Sequence, residues 1–141
     1  MKTEKNNQNR LGYQQIPGGT ECILFVDDEE HLADLWKEIL ESLRYQVTAR
    51  SSSLDALDVF RESPDGFDLM ITDMTMPQMT GAELSKEIKR IRPELPVILY
   101  TGFSMQISEK KAEGMGIRRF LTKPLSLAVL AKTIREVLDE G

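Results

Sequence analysis

The chain has 141 residues, is 40% apolar and 29% charged, carries a formal net charge of -5 and holds a single cysteine. That length suits one domain burying about 68–70% of its unfolded surface, and one cysteine excludes a disulfide framework. A pI near 5.0 argues against a phosphate-binding nucleic-acid surface, and no apolar run approaches the roughly 20 residues of a membrane span or forms a signal peptide, so a cytoplasmic protein without nucleic-acid or membrane partners is expected.

Residues 1–20 include Lys2, Lys5, Asn6, Asn7, Gln8, Asn9, Gln14 and Gln15 and end near Pro17-Gly18-Gly19. So little apolar surface cannot offset ordering entropy, so a flexible leader or linker is expected there, with the domain at 21–141. Five candidate strands follow, at 22–26 (CILFV), 45–49 (YQVTA), 67–72 (FDLMIT), 97–101 (VILYT) and 119–122 (RFLT). CILFV, LMIT and VILY are nearly continuous apolar runs, the pattern of strands covered on both faces of a parallel sheet. Cys22 reads as a small buried hydrophobe at the start of the first strand.

Helical spacing marks the segments between them. Leu32, Leu35, Trp36, Ile39, Leu40 and Leu43 form one apolar stripe, and Leu54, Leu57 and Phe60 a shorter one ended by Pro64 and Gly66. Leu84, Ile88 and Ile91 form a third, opened by a capping box of Thr80 and Glu83 and stopped by Pro93 and Pro96. The fourth segment, 104–115, has only Ile107, Ala112 and Met115 as anchors and should dock most weakly, whereas Leu127, Leu130, Ile134 and Val137 make a clear last helix. His31, beside Glu30, is expected to be a solvated surface residue. Five strand-helix repeats imply an α/β, three-layer, doubly wound sheet of five parallel strands, with ligands bound beyond the carboxyl ends of the strands.

Those ends carry Asp27-Asp28-Glu29-Glu30, Asp73, Thr101-Gly102 and Thr122-Lys123-Pro124. Glu29 and Glu30 fit a helix start, where carboxylates meet the positive end of the dipole. Asp73 does not, because Met74-Thr75-Met76-Pro77 follows it. Two carboxylates about 4 Å apart repel by roughly 4 kcal/mol at an effective dielectric near 20, so three converging acids call for a cation. Hard oxygen ligands with room for water and a phosphoryl oxygen favour Mg²⁺. A metal, a lysine and a hydroxyl around a free carboxylate are the parts of an in-line phosphoryl transfer.

In combination, FVDDEE, ITDMTMPQMTG, YTG and TKP resemble the motifs of receiver domains of the two-component response regulator family, over about residues 21–140. The resemblance implies the (βα)5 flavodoxin-like, CheY-like fold. It implies Asp73 as the acceptor of a phosphoryl group from a sensor histidine kinase or a histidine phosphotransfer protein. Mg²⁺ would be held by Asp27, Asp28, Asp73 and the backbone carbonyl of Thr75. Thr101 matches the switch hydroxyl, Lys123 the phosphate-pairing lysine whose bond to Pro124 the family holds cis, and Phe120 the switch aromatic, here without the usual hydroxyl. Gly102 completes the switch segment, and Phe103, two residues past Thr101, is expected to shield the phosphoryl group from water.

The family is one of signalling domains that catalyse only their own phosphorylation and dephosphorylation, so a turnover enzyme is not expected. With the chain ending after the fifth helix, output is expected through protein contact, on the face of the fourth helical segment, the fifth strand and the last helix, with weak dimerisation. The Pro-Gly-Gly-Thr-Glu entry resembles the linker before the receiver of a hybrid sensor kinase. A competing resemblance is to phosphatases of the haloacid dehalogenase type, which also use a strand-end Asp, Mg²⁺, a Thr and a Lys. Their second acid two residues past the nucleophile is here replaced by Thr75.

Overall fold

The computed structural model describes residues 16–102 and 116–140. Its elements are β1 (Cys22–Val26), α1 (Glu30–Ser42), β2 (Gln46–Arg50), α2 (Ser53–Glu62), a 3-10 turn (Pro64–Gly66), β3 (Leu69–Asp73), α3 (Gly81–Ile91), β4 (Val97–Thr101), β5 (Arg119–Thr122) and α4 (Leu127–Glu140). The expected helix at 104–115, and Phe103 with it, lie outside the described residues.

All strand pairs are parallel and the order is β2-β1-β3-β4-β5. Alternate side chains leave opposite faces of a strand, so the continuous apolar runs feed two cores. Leu24, Val26, Met70, Val97 and Leu99 pack with Leu57, Phe60, Leu84 and Ile88 of α2 and α3. Ile23, Phe25, Leu69, Ile71, Ile98 and Tyr100 pack with Trp36, Leu40, Leu130 and Ile134 of α1 and α4. β3 and β4 are buried at every position, as strands covered on both sides must be.

Several expectations need correcting. β2 starts at Gln46 rather than Tyr45, because the Tyr45 N–H still bonds the Leu40 carbonyl at the end of α1, after Arg44 at φ 80°. β3 starts at Leu69 rather than Phe67. Leu35, Leu54 and Ile91 are 49%, 43% and 38% exposed rather than part of the core. Small residues fill the buried arcs in their place: Ala33 on α1, Ser53 and Ala56 on α2, and Gly81 and Ser85 on α3. Cys22 is half-buried, its N–H donating to Asp68 Oδ2 at 2.8 Å. The capping box at α3 is formed by Thr80 and Glu83 in both directions.

The expected boundary between residues 20 and 21 falls inside a docked segment. Gly19 N–H donates to the Leu43 carbonyl at 3.1 Å, and a Cβ on Gly18 would lie 2.3 Å from that oxygen. These glycines therefore permit close approach to the α1–β2 turn instead of marking free chain. Arg135 on α4 closes the clasp. It donates to both carboxylate oxygens of Glu21, at 2.9 and 2.8 Å, and also to Asp139 and to the Gly18 carbonyl.

The Arg135 hydrogen bonds hold the Glu21 carboxyl at a pKa of about 2, against 4.5 ordinarily. A depressed carboxyl stabilises the fold above its unfolded value and loses that contribution as pH falls through the folded one. Arg135→Ala should therefore lower stability by about 1–2 kcal/mol at neutral pH, the scale of a charge-assisted hydrogen bond. In urea unfolding the deficit should shrink as pH falls from 4.5 toward 2; a deficit independent of pH there would contradict the clasp.

Candidate functional site

The chain turns outward from β1 to β2 on one side and from β3 to β5 on the other, so strand order reverses between β1 and β3. Ligands of such sheets bind in the crevice at that reversal. Register decides what faces it. Val26 lies opposite Thr72, which sets the next residues, Asp27 and Asp73, side by side. Asp73 lies opposite Tyr100, and Thr101 opposite Thr122, which brings Lys123 to the same edge. The Lys123 N–H donates to the Thr101 carbonyl at 2.7 Å, and the Lys123–Pro124 bond is cis.

One carboxylate oxygen from each of Asp27, Asp28 and Asp73 lies within 4.8 Å of the other two. Asp27 and Asp73 are buried, at 0% and 3% exposure, while Asp28 is exposed to solvent. Asp73 Oδ2 accepts from Lys123 Nζ at 3.1 Å, and Oδ1 from the Thr75 N–H at 3.3 Å. Lys123 Nζ is also 3.8 Å from Asp27 Oδ2. Burial and then the charge of Asp27 push the Asp73 pKa up, against the opposing pull of Lys123. Burial works against the charge on Lys123, but its hydrogen bond to Asp73 and the fields of Asp27 and Asp73 leave its pKa raised. The lysine therefore stays protonated, while two buried acids remain only partly compensated.

Thr101 Oγ1 is buried with no hydrogen-bond partner among the described residues. A buried orphan hydroxyl costs stability and needs a reason, such as a ligand atom it is built to meet. An oxygen-rich donor set of three acids suits a hard divalent cation, and the orphan hydroxyl beside a lysine suits a phosphoryl oxygen. Gly102 and Pro124 line an open cavity next to these groups, with Glu29, Tyr100 and Lys123. Phe120 is partly buried against the α2–α3 core. His31 is exposed.

A family model described as the response regulator receiver domain matches residues 23–135. The chain belongs to that family. The sensor kinase CckA of Brucella abortus (strain 2308) is 29% identical over 122 residues, which are 86% of this chain and only 13% of that kinase. The polar-differentiation response regulator DivK of Brucella ovis is 30% identical over 125 residues, 86% of this chain and 99% of DivK. Among solved structures, a response regulator receiver domain protein from Clostridium thermocellum superposes with a TM-score of 0.81 at 32% identity, covering 85% of this chain and 95% of that one. A CheY-like receiver domain protein from Methanospirillum hungatei JF-1 gives 0.78 at 30% identity, covering 86% and 96%.

Receiver domains are phosphorelay signalling modules, and this chain is one; the haloacid dehalogenase reading falls away. No helix among the described residues is long and apolar enough to cross a membrane.

Two residues inside the receiver motifs of this domain shape the site without being among the expected site residues. Gly81, the last residue of ITDMTMPQMTG, packs on the Asp73 carbonyl. Tyr100, the first of YTG, donates its hydroxyl to Asp27 Oδ2 at 2.6 Å. Burial and the Asp27 charge push the Tyr100 phenol far up, so it remains a donor. A bulky aromatic directly after the aliphatic run Val97-Ile98-Leu99 was the available signal for Tyr100. For Gly81, it was a glycine just inside a helix start that a capping box already served.

Proposed function

We propose that Asp73 is the phosphoacceptor of this receiver domain, loaded from a phosphohistidine on a sensor histidine kinase or a histidine phosphotransfer protein. The observation that carries this reading is a buried carboxylate at the strand-order reversal, held 3.1 Å from a lysine and within 4.8 Å of two further acids. One Asp73 oxygen attacks phosphorus in line. The new P–O bond forms as the P–N bond breaks, and the departing imidazole nitrogen keeps the electron pair and takes up a proton.

Asp27, Asp28, Asp73 and the Thr75 carbonyl would hold Mg²⁺. Bound there, the ion neutralises the acids and the phosphoryl oxygens. Lys123 exchanges its Asp73 contact for a phosphoryl oxygen, and the orphan hydroxyl of Thr101 donates to another. Burial of Thr101 and half-burial of Lys123 make each contact stronger than it would be in water. Later attack by water returns Asp73 to its free form, so the only chemistry the domain catalyses is on itself.

Movement of Thr101 toward the phosphoryl group is accompanied by a shift of the partly buried Phe120 ring, the switch aromatic. Without a hydroxyl, that ring signals by position alone. The resulting population shift is read by a protein bound to the face of β5 and α4.

Incubation with Mg²⁺ and acetyl phosphate, followed by intact-mass measurement, should give one phosphate adduct per chain, abolished by a chelator. An adduct that forms equally well in chelator defeats the metal assignment. No adduct under any metal condition defeats the acceptor assignment.

A further inference from the structure

Tyr100 has no part in the mechanism above, yet it touches two of its groups. Its hydroxyl lies 2.6 Å from Asp27 Oδ2 and 3.4 Å from the Val26 carbonyl. A phenol has one proton to give, and the short contact to a carboxylate takes it. The other Asp27 oxygen accepts the Glu29 N–H at 2.8 Å, so the carboxylate is clamped at both ends. The ring of the same tyrosine carries the Lys123 ammonium 5.4 Å from its centroid, within the range of a cation–π contact.

The ring itself cannot drift. It is fully buried, its centroid is 5.8 Å from that of Phe25, and Phe25 in turn stacks on Trp36 at 6.4 Å. Its carbonyl accepts the Met74 N–H at 2.8 Å, which ties the same residue to the turn after Asp73.

We propose that Tyr100 is a positioning residue: its hydroxyl holds Asp27 in the orientation that receives the cation, and its ring face steadies Lys123 over the acceptor. This rests on the phosphoacceptor reading. The simpler alternative is a core tyrosine that found the nearest acceptor for its hydroxyl. The two differ in what Tyr100→Phe does. That variant keeps the ring, its stacking and the lysine contact, and removes only the hydrogen bond to Asp27.

Hydrogen bonds that orient metal-binding carboxylates typically contribute about 10–100-fold in metal affinity. Tyr100→Phe should therefore raise the Mg²⁺ dissociation constant by about tenfold. Trp36, the only tryptophan in the chain, lines the cavity with Tyr100 and Lys123, so its fluorescence can report the titration, with calorimetry as an independent readout. Tyr100→Leu, which also removes the ring beneath Lys123, should in addition slow adduct formation from acetyl phosphate at saturating Mg²⁺.

Wild-type Mg²⁺ affinity in Tyr100→Phe, or a tighter one, overturns the proposal while normal adduct formation by the wild type leaves the acceptor reading standing. A wild-type protein that neither binds Mg²⁺ nor takes up phosphate overturns that reading and this proposal with it.

Discussion

Asp73→Asn should take up no phosphate from acetyl phosphate, and it should unfold at a higher temperature than the wild type. The first half follows from the missing nucleophile. The second follows from the charges that meet at Asp73. One of its oxygens lies within 4.8 Å of one from each of Asp27 and Asp28, so each pair repels by about 3.5 kcal/mol at an effective dielectric of 20, against about 5 kcal/mol of attraction to Lys123 at 3.1 Å. Two repulsions outweigh one attraction, and burial of the ion adds to the imbalance. Asparagine keeps an oxygen for the Thr75 N–H and removes the charge. A gain of about 1 kcal/mol is expected, less than the raw Coulomb difference of about 2 kcal/mol because solvent at Asp28 screens its share.

The sign with pH provides a second check. A carboxyl whose folded pKa is raised favours the fold when protonated, so its stabilising contribution is complete below the ordinary value of 3.8 and is lost as pH rises through the raised value. The advantage of Asp73→Asn should thus be full at pH 7, fade as pH falls through the raised value, and be gone below 3.8. Saturating Mg²⁺ should narrow the gap at pH 7, because the wild type gains more from the cation. Denaturant unfolding at pH 7 with and without Mg²⁺ measures both effects. A variant less stable than wild type in metal-free buffer at pH 7 would show that Lys123 more than compensates the buried acids.

Much of this architecture could be read in advance because its strongest constraints are local. Continuous runs such as VILY have to be covered on both faces, and that alone implies a parallel sheet flanked by helices. An acid that follows LMIT and precedes a proline-containing turn has no helix dipole to satisfy it, which singled out Asp73. What could not be read is what depends on which side chain reaches which. Asp27 and Asp28 are adjacent in sequence, yet one is buried under Tyr100 and the other faces solvent. Helix stripes drawn through large apolar residues missed that Ala33, Ala56, Ser53 and Ser85 occupy the buried arcs and leave Leu35 and Leu54 outside. Gly18 and Gly19 looked like linker because a glycine at a close approach and a glycine in free chain are the same letter.

Gly81→Ala tests that last distinction where it matters most, at the back of the acceptor. A Cβ there would lie 2.1 Å from the Asp73 carbonyl oxygen and 2.9 Å from its carbonyl carbon, with Leu99 Cδ1 at 2.8 Å. The leucine tip can move aside, but the Asp73 carbonyl cannot move without β3. It is held by the Thr72 hydroxyl at 3.0 Å, while the Gly81 N–H anchors α3 to the Met74 carbonyl at 2.8 Å and the Met74 N–H anchors the turn to β4. One added methyl must therefore push apart α3 and the strand that carries the acceptor. Overpacking of this kind costs about 1–3 kcal/mol, and the upper end is expected because the obstacle is backbone. Adduct formation by the folded protein should slow as well, because a displaced Asp73 carbonyl tilts the side chain away from Lys123. Gly66→Ala is the matched control, since its Cβ would meet only the Ser63 Cβ at 3.2 Å, and it should change stability by less than about 1 kcal/mol and leave the phosphorylation rate as it was. Equal effects of the two substitutions would mean that α3 can retreat from Asp73 at no cost, and that the acceptor's position is set by the sheet alone.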